Sequence, residues 1–245
     1  MAPVTSATAT PAGATLASAT LRSEMVSALQ RVGAIRSDPV RRAFLAVPRD
    51  EFVPEIVERD GLEAVYRPDA ALVVAADPGG ARISSSPAPV VMAAMLEALE
   101  LRPGQKVLEV GTGTGYNAAL LKWLVGDTGT VISVELDAAF ARRARYALAR
   151  AHCRCHVVVG DGRAGWLPGA PFHRIEVTVS TPEMARAWQE QLVNGGLVEL
   201  PLQPGSRSAP QVVLTLRRQG ASLRSTSVLP ANFAPLRPPS PARSA

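Results

Sequence analysis

One stretch, residues 107–117, constrains the fold of this chain more than any other: Val-Leu-Glu-Val-Gly-Thr-Gly-Thr-Gly-Tyr-Asn. An apolar run suited to a buried strand (107–110) ends in three glycines at alternate positions, and an apolar helical pattern follows at 116–125. The pattern predicts a strand, a tight turn and a helix. Glycine permits the sharp turn and lets a ligand lie against the backbone, which the helix N-terminus then faces. The three glycines are Gly111, Gly113 and Gly115.

The next strand narrows the choice of ligand. The apolar run 130–134 ends in Glu135, whose carboxylate can accept hydrogen bonds from both hydroxyls of a ribose. Nicotinamide enzymes, flavoproteins and methyltransferases all use a glycine turn, but a dinucleotide site needs a glycine where this chain has Tyr116. S-adenosylmethionine has no pyrophosphate, and its sulfonium cation would be favoured by a nearby carboxylate such as Glu109. We therefore predict an S-adenosylmethionine site.

A third strand end completes the predicted cofactor site. The run 156–159 is followed by Gly-Asp-Gly, in which Asp161 could accept a hydrogen bond from the adenine amine and Gly162 would let the ring approach the backbone. The alternative for Asp161 is a structural role in the turn, and for Glu135 a role at a helix N-terminus. The methionine end of the cofactor is assigned to the glycine turn, at Gly111, Thr112, Gly113 and Gly115.

Strand and helix patterns alternate along most of the chain. This predicts an α/β protein with a Rossmann-like methyltransferase fold, a mostly parallel doubly wound sheet closed by C-terminal antiparallel strands. We expect one domain over 21–236, with a helical and lid region (21–88) ahead of a cofactor-binding core (89–236). Residues 1–20 and 237–245 have low complexity and are predicted to be disordered.

Local patterns give approximate element bounds. The segment 47–86 is predicted to be irregular and to serve as a substrate lid. A helix is expected to begin at Pro39, with Asp38 as its N-cap, and to end near Ala46. Other predicted helices are 24–33, 89–101, 137–150 and 182–192; predicted strands are 174–179, 197–200, 211–216 and 222–228, with a turn at 194–196.

Composition bears on partners and location. The net charge of +5 rests on arginines scattered along the chain, because only Lys106 and Lys122 are lysine among 26 basic residues. Without interleaved basic and aromatic residues we expect no nucleic-acid partner. The N-terminus lacks the pattern of a signal peptide, and no apolar run is long enough to span a bilayer. We expect a soluble, cytoplasmic monomer that does not act at a membrane.

The segment 152–156, His-Cys-Arg-Cys-His, resembles a metal-binding cluster. Adjacent side chains of an extended segment point to opposite faces, and no second cluster exists to complete a tetrahedron, so we predict no metal site. Two cysteines also give no disulfide framework, which agrees with a reducing compartment. His173 is interpreted as a strand-end residue, and Trp166 and Trp188 as packing residues, although Trp166 could border the adenine.

Taken in order, the motifs over about 24–236 resemble those of the protein-L-isoaspartate O-methyltransferase family. Beside the glycine turn the resemblance rests on Val-Pro-Arg-x-x-Phe-Val-Pro (47–54), Gly-Asp-Gly-x-x-Gly-Trp (160–166), Ala-Pro-Phe (170–172), Val-Thr (177–178), Pro-Glu (182–183), Gln-Leu-x-x-Gly-Gly (191–196) and Phe-x-Pro-Leu (233–236). The resemblance implies methyl transfer from S-adenosylmethionine to the α-carboxyl of an L-isoaspartyl residue in a protein or peptide. The methyl ester then collapses to a succinimide.

One departure from that family concerns the acceptor. The family has Thr-Ile-Ser-(Gln or Ala)-Pro before its first core helix, and its serine is held to contact the acceptor carboxylate. Here Pro87 occupies the serine position, and a proline offers neither a hydroxyl nor an N–H. A shifted loop could present one of three serines just upstream, which become the candidate catalytic residues: Ser84, Ser85 and Ser86.

Three functions follow from the resemblance. The first is carboxyl methylation of isoaspartyl or aspartyl residues in proteins or peptides, of the protein-repair type. The second is methylation of an aspartate in one ribosomally made peptide, leading to aspartimide formation, because 82–89 together with 113–121 is similar to a branch with that activity. The third, suggested by Pro87, is a cofactor-binding homologue that has lost catalysis.

Overall fold

A mostly parallel β-sheet forms the centre of the computed structural model, which describes residues 12–76, 78, 80, 82–205, 210–230 and 232–237. Among these residues the sheet has seven strands and is accompanied by a separate two-stranded hairpin. In chain order the strands are β1 (Leu72–Ala76), β2 (Arg82–Ser86), β3 (Lys106–Val110), β4 (Thr130–Glu135), β5 (His156–Val159), β6 (Phe172–Val177), β7 (Leu192–Leu202), β8 (Val212–Gln219) and β9 (Ser222–Pro230).

The strand order is β5-β4-β3-β6-β7-β8-β9. β3 to β7 run parallel to one another, and β8 and β9 are added antiparallel at one edge. The hairpin pairs β1 with β2. The predicted α/β class and the closing antiparallel strands are thus confirmed.

Helices cover the sheet. They are α1 (Ala12–Arg31), α2 (Asp38–Ala46), α3 (Pro54–Asp60), α4 (Leu62–Val65), α5 (Pro89–Ala98), α6 (Tyr116–Val125), α7 (Ala138–Arg150) and α8 (Arg186–Gln191), with 3-10 turns at Arg49–Phe52, Gly162–Ala164 and Leu167–Gly169. Alternate strand residues face opposite sides. Val107 and Val131 pack into an apolar cluster with α1, α2, α5 and α6, whereas Leu108 and Ile132 pack on the other face with Trp188 of α8. The sheet therefore has a buried core on both faces.

The N-terminal helix begins earlier than predicted. The disorder expected for residues 1–20 is corrected for residues 12–20, which form the first half of α1; residues 1–11 lie outside the described part of the chain. Alanine-rich sequence has high helix propensity, and tertiary contacts hold this half in place. The buried Ser18 Oγ donates to Asp50 at 2.9 Å and lies 3.0 Å from the Tyr66 hydroxyl.

Two further expectations near the N-terminus need correction. Ser37, not Asp38, is the N-cap of α2, because its backbone is extended and its Oγ accepts from Val40 N at 3.4 Å. The segment 47–86, predicted to be irregular, contains a 3-10 turn, α3, α4 and the hairpin. Its role as a lid stays a prediction.

The C-terminal half differs mainly in element bounds. β6 begins and ends two residues earlier than expected, and α8 starts at Arg186 instead of 182. The predicted turn at 194–196 lies inside β7, where the ladder with β6 shifts register between Phe172 and Arg174. The Asn194 side chain accepts from Gly220 N at 2.8 Å, so the extended start of β7 is tied to the β8–β9 turn.

Candidate cofactor and acceptor site

A cleft of about 960 Å³, including open solvent at its mouth, lies at the carboxyl ends of β3, β4 and β6. This is the edge at which parallel α/β sheets bind ligands. Its walls include the β2 end, the glycine turn, the β4 and β6 ends, and a C-terminal segment. Its lining includes Ser84, Ser85, Ser86, Pro87, Gly111, Thr112, Gly113, Thr114, Asn117, Glu135, Phe140, Gly162, Glu176, Thr178, Phe233 and Arg237.

The glycine turn forms the floor of this cleft. Gly111 has a φ of +101°, and a Cβ there would come within 2.6 Å of the Thr178 Oγ1. That hydroxyl donates to the carbonyls of Val110 and Gly111, at 3.0 and 2.7 Å, and so ties the turn to the end of β6. A side chain at Gly111 would both strain the backbone and break this contact. Of the residues assigned to the methionine end, Gly111, Thr112 and Gly113 line the cleft.

Gly115 plays a different part. It is the N-cap residue just before α6 and has a left-handed backbone conformation. A Cβ on it would lie 3.3 Å from Ala144 Cβ and Leu148 Cγ of α7. The residue therefore lets α6 and α7 pack closely, and its predicted contact with the cofactor stays a prediction.

Glu135 is held in the cleft by backbone groups. Its Oε2 accepts from Gly113 N at 2.9 Å and its Oε1 from Asp137 N at 3.1 Å. The side chain is only 7% exposed. Because a carboxylate oxygen can accept more than one hydrogen bond, this geometry leaves lone pairs for the two hydroxyls of a ribose. The predicted ribose residue is thus already oriented in the cleft.

The loop after β5 is anchored from below by α8. Trp188 Nε1 donates to the Gly162 carbonyl at 2.8 Å, and the Gln191 amide donates to the Ala164 carbonyl at 2.8 Å. A Cβ on Gly162 would lie 2.3 Å from Val110 Cγ1, so only glycine fits this close approach. Gly162 lines the cleft, as expected for a residue beside adenine. Trp188 packs as predicted, and its indole N–H also fixes the loop.

Asp161 has a partner other than the one predicted. It pairs with Arg163, whose Nη2 lies 2.8 Å from Oδ2, and this guanidinium lowers the pKa of the carboxyl. Asp161 also caps the 3-10 turn by accepting from Arg163 N at 3.1 Å. It is not among the described residues that line the cleft. In the structure Asp161 therefore has the alternative role considered above, that of stabilising the turn. Its contact with adenine stays a prediction.

A row of buried polar side chains crosses the sheet below the cleft. In register, Ser133 of β4 lies beside Glu109 of β3, then follow Glu176 of β6, Glu199 of β7 and Thr215 of β8. All five are buried. Ser133 Oγ donates to Glu109, and Thr215 Oγ1 donates to Glu199 at 2.9 Å. Three buried carboxyl groups are thus neighbours in the sheet.

Asn117 of α6 joins two of these carboxyls. Its Nδ2 donates to Glu109 Oε1 and to Glu176 Oε2, both at 2.8 Å. Burial raises the pKa of Glu109 to about 8 and that of Glu176 to about 7, against the hydrogen bonds they accept. Burial and the nearby Glu176 also raise the pKa of Glu199 well above its usual range. Burial thus favours the protonated form of Glu109 at neutral pH.

Glu109 lies deeper than the residues that line the cleft, and its predicted effect on the sulfonium stays a prediction. Its side chain is fully buried beneath the glycine turn and does not border the cleft among the described lining residues. Glu176 and Asn117 line the cleft instead. Sequence reasoning missed both, although Asn117 belongs to the glycine-turn motif and Glu176 stands between the apolar Ile175 and Val177 near the end of a strand.

The three candidate serines lie opposite the glycine turn, at the end of β2. Ser84 and Ser86 are buried, at 7% and 2% exposure, and Ser85 between them is less so. A Cβ on Gly113 would lie 3.7 Å from Ser84 Oγ. Ser86 Oγ accepts from Arg49 Nη2 at 3.1 Å. The structure therefore brings all three serines to the cleft, and two of them share one face of the strand.

The last described residues close the cleft on another side. Ser180 N donates to the Ala234 carbonyl at 2.8 Å, and Leu236 N donates to the Ser180 carbonyl at 2.7 Å. These bonds hold the Phe-x-Pro-Leu motif against the end of β6. Arg237, expected to begin a disordered tail, lines the cleft; residues 238–245 lie outside the described part of the chain.

The histidines and cysteines lie elsewhere. His173 Nδ1 accepts from Lys106 N at 3.0 Å, at the opposite end of β3 from the cleft. Cys153 and Cys155 are free thiols with their Sγ atoms 3.4 Å apart. No group of three or more potential metal ligands is found among the residues described. Nor does that part of the chain contain a helix with the length and apolarity needed to cross a membrane.

The strand order and this cleft are those of the Rossmann-like methyltransferases, which use S-adenosylmethionine. The residues present fit that cofactor. The floor of the cleft is backbone at Gly111 and Gly113, without side chains, and the Glu135 carboxylate is already oriented to bind a ribose. The family model for protein-L-isoaspartate(D-aspartate) O-methyltransferase matches residues 20–239. The chain belongs to this family.

Individual relatives agree. A protein-L-isoaspartate O-methyltransferase from Ignicoccus hospitalis is 37% identical over 88% of this chain and 96% of its own, and one from Anaeromyxobacter dehalogenans is 38% identical over 74% and 90%. A solved protein-L-isoaspartate O-methyltransferase superposes with a TM-score of 0.78 at 32% identity, covering 87% of this chain and 65% of that one. A Plasmodium falciparum protein solved with S-adenosyl-L-homocysteine shares the fold, with a TM-score of 0.73 at 19% identity, covering 88% and 98%.

Proposed function

We propose that this protein transfers a methyl group from S-adenosylmethionine to the α-carboxylate of L-isoaspartyl residues in proteins or peptides. The observation that supports this most directly is that Ser84 and Ser86 both line the cleft, with Ser84 Oγ opposite Gly113 of the glycine turn. Hydroxyl donors there can hold a carboxylate beside the methionine end of the cofactor. Relatives named for this activity support the same assignment.

The chemistry asks little of the protein in proton transfer. When bound, S-adenosylmethionine supplies an electrophilic methyl group on a positively charged sulfur. An acceptor carboxylate with a pKa of about 4 is already ionised at neutral pH, so no residue needs to act as a base. The serine hydroxyls orient the carboxylate, and Glu135 with the glycine turn holds the cofactor. Such positioning lowers barriers by up to about 7–11 kcal/mol in model systems.

A labelled-methyl assay tests the proposal. We expect transfer to a short isoaspartyl peptide and none to the same peptide with ordinary aspartate. Calorimetry on the same preparation checks cofactor binding. Protein that binds S-adenosylmethionine yet methylates neither peptide nor any peptide encoded nearby would support the reading in which catalysis has been lost.

A second candidate is methylation of one dedicated peptide. It is favoured by Pro87, which lines the cleft where the family has its serine, and by the three serines beside it. In that case Pro87→Ser should do little for generic peptides. Replacing Ser84, Ser85 and Ser86 together by alanine should lower kcat for the dedicated substrate more than it raises KM. Good turnover of a generic isoaspartyl peptide by the unmodified protein would exclude this candidate.

A further inference from the structure

Arg49 is a fully buried arginine that lacks an acidic partner among the described residues. Its Nε and Nη1 atoms are buried without any hydrogen-bond partner. Burial lowers its pKa to about 10, which leaves the guanidinium charged at neutral pH. An uncompensated buried charge is strongly destabilising. Such a group is expected to persist only where its charge serves something nearby.

The hydrogen bonds of Arg49 all go to residues in the wall of the cleft. Its Nη2 donates to Ser86 Oγ at 3.1 Å and to the Pro87 carbonyl at 2.9 Å. Its guanidinium carbon lies 5.5 Å from the centre of the Tyr116 ring. Tyr116 is the first residue of α6, directly after the glycine turn. Arg49 thus lies between the serine segment and the cofactor turn, behind the surface that a substrate would touch.

The hydrogen bond between Arg49 and Ser86 can have only one direction, and this decides what the proton of the Ser86 hydroxyl can do. A guanidinium has only donors, so Ser86 Oγ must accept the bond from Arg49. The single proton of that hydroxyl is then free to donate elsewhere. Ser86 lines the cleft. Its hydroxyl therefore has a free proton to offer an anionic oxygen in the cleft.

We propose that Arg49 is a positioning residue for the acceptor: it holds Ser86 with its proton directed to the acceptor carboxylate, and its unpaired positive charge favours that anion. This rests on the function proposed above. It explains how the chain replaces the donor absent at Pro87. Of the three candidate serines, it assigns the acceptor contact to Ser86.

The test compares Arg49→Met, Arg49→Lys, Ser86→Ala and the double variant Arg49→Met/Ser86→Ala. For Arg49→Met we expect kcat/KM on an isoaspartyl peptide to fall about 10- to 100-fold, the range for a hydrogen bond to a charged group. Arg49→Lys should recover part of this loss. The Kd for S-adenosylmethionine should change little. Because one of the two effects of Arg49 acts through Ser86, the double variant should lose less than the product of the two single losses.

Phe44→Leu is the matched control. Phe44 is buried and packs edge-on against the same Tyr116 ring, 6.4 Å between centroids, but does not bond Ser86. It should lower the melting temperature without lowering kcat/KM. If Arg49→Met does not fold, Arg49→Lys and Ser86→Ala give the same comparison. Unchanged kcat/KM in the Arg49 variants, or fully multiplicative losses, would overturn the proposal.

The proposed function and this inference can fail separately. Absence of turnover in the unmodified protein counts against the function. The Kd of the isoaspartyl peptide, measured with S-adenosylhomocysteine present, then tests Arg49 alone. Weaker peptide binding in Arg49→Met and Ser86→Ala supports the inference, and equal binding overturns it.

Discussion

Glu135 is oriented by two backbone N–H groups before any ligand arrives. We predict that Glu135→Ala weakens S-adenosylmethionine binding by about 1.5–3 kcal/mol, the usual loss for hydrogen bonds to a charged group. Titration calorimetry measures this. Asp161→Ala is the comparison, and should lose less because Asp161 is engaged by Arg163. Unchanged affinity in a folded Glu135 variant would refute the ribose assignment.

Glu109 should make stability depend on pH. The folded protein keeps the proton on this carboxyl up to about pH 8, whereas the unfolded chain releases it near 4.5. Unfolding therefore releases a proton throughout this window, so stability is greatest below it and is lost as pH rises toward 8. Glu176, whose pKa is raised to about 7, should lower the stability in the same way as the pH rises toward 7.

The measurement is the melting temperature from about pH 5 to pH 8. Each such carboxyl can lower the free energy of unfolding by up to about 1.4 kcal/mol per pH unit, which corresponds to about 3–6 °C in melting temperature for a chain of this size. Glu109→Gln, which can still bond Asn117 and Ser133, should flatten this slope. An equally steep slope in the variant would mean that Glu109 is ionised in the folded state.

The roles of some of these residues could be predicted from the sequence, and the roles of others could not. Glu135 follows from its place at a strand end after a glycine turn, a local pattern. Arg49 and Glu176 do not, because what distinguishes them is burial and partners from distant segments. Glu109 shows the limit in the other direction. The strand was predicted correctly, but its sequence does not show that Glu109 is covered while Glu176, its neighbour in register on the same face, reaches the cleft.

At the level of elements, α8 supports the cofactor loop without touching the cleft. Trp188→Phe would remove the bond to the Gly162 carbonyl and leave that buried acceptor unpaired. We expect a loss of about 1–3 kcal/mol in stability and a several-fold weaker cofactor affinity. Thermal unfolding and calorimetry check the two effects. Trp123→Phe on α6, where the indole is 38% exposed, is the control and should change neither.

The bounds of helices and strands were predicted best where the sequence has a local start or stop signal, such as an N-cap residue. The start of α7 follows Asp137, whose side chain accepts from Ala139 N and Phe140 N, as an N-cap should. α1 was predicted too short because its first half has no apolar periodicity and is held by Ser18 instead. The predicted Asn-Gly-Gly turn is an irregularity within β7, because the ladder with β6 passes from Leu192 directly to Leu197, and Gly195 between them has a φ of +79°.

For the whole molecule, the alternation of strand and helix patterns was enough to predict the parallel sheet and its antiparallel C-terminal strands. The order of the motifs was enough to predict the family. The cleft was only partly predictable, since its walls come from segments as far apart as Ser84 and Arg237. The division into a lid region and a core within one domain stays a prediction.

The outer strand β9 bears on whether copies of this chain associate. Within the described residues β9 pairs only with β8, so one side of its backbone faces outward. Its sequence, Ser-Leu-Arg-Ser-Thr-Ser-Val-Leu-Pro, is mainly polar and ends in a proline that cannot donate to a new ladder. The opposite outer strand, β5, has only four residues. Neither border is suited to extending the sheet into a second copy. We therefore expect the mass from light scattering to stay that of a monomer as protein concentration rises, and a stable dimer joined through β9 would contradict this.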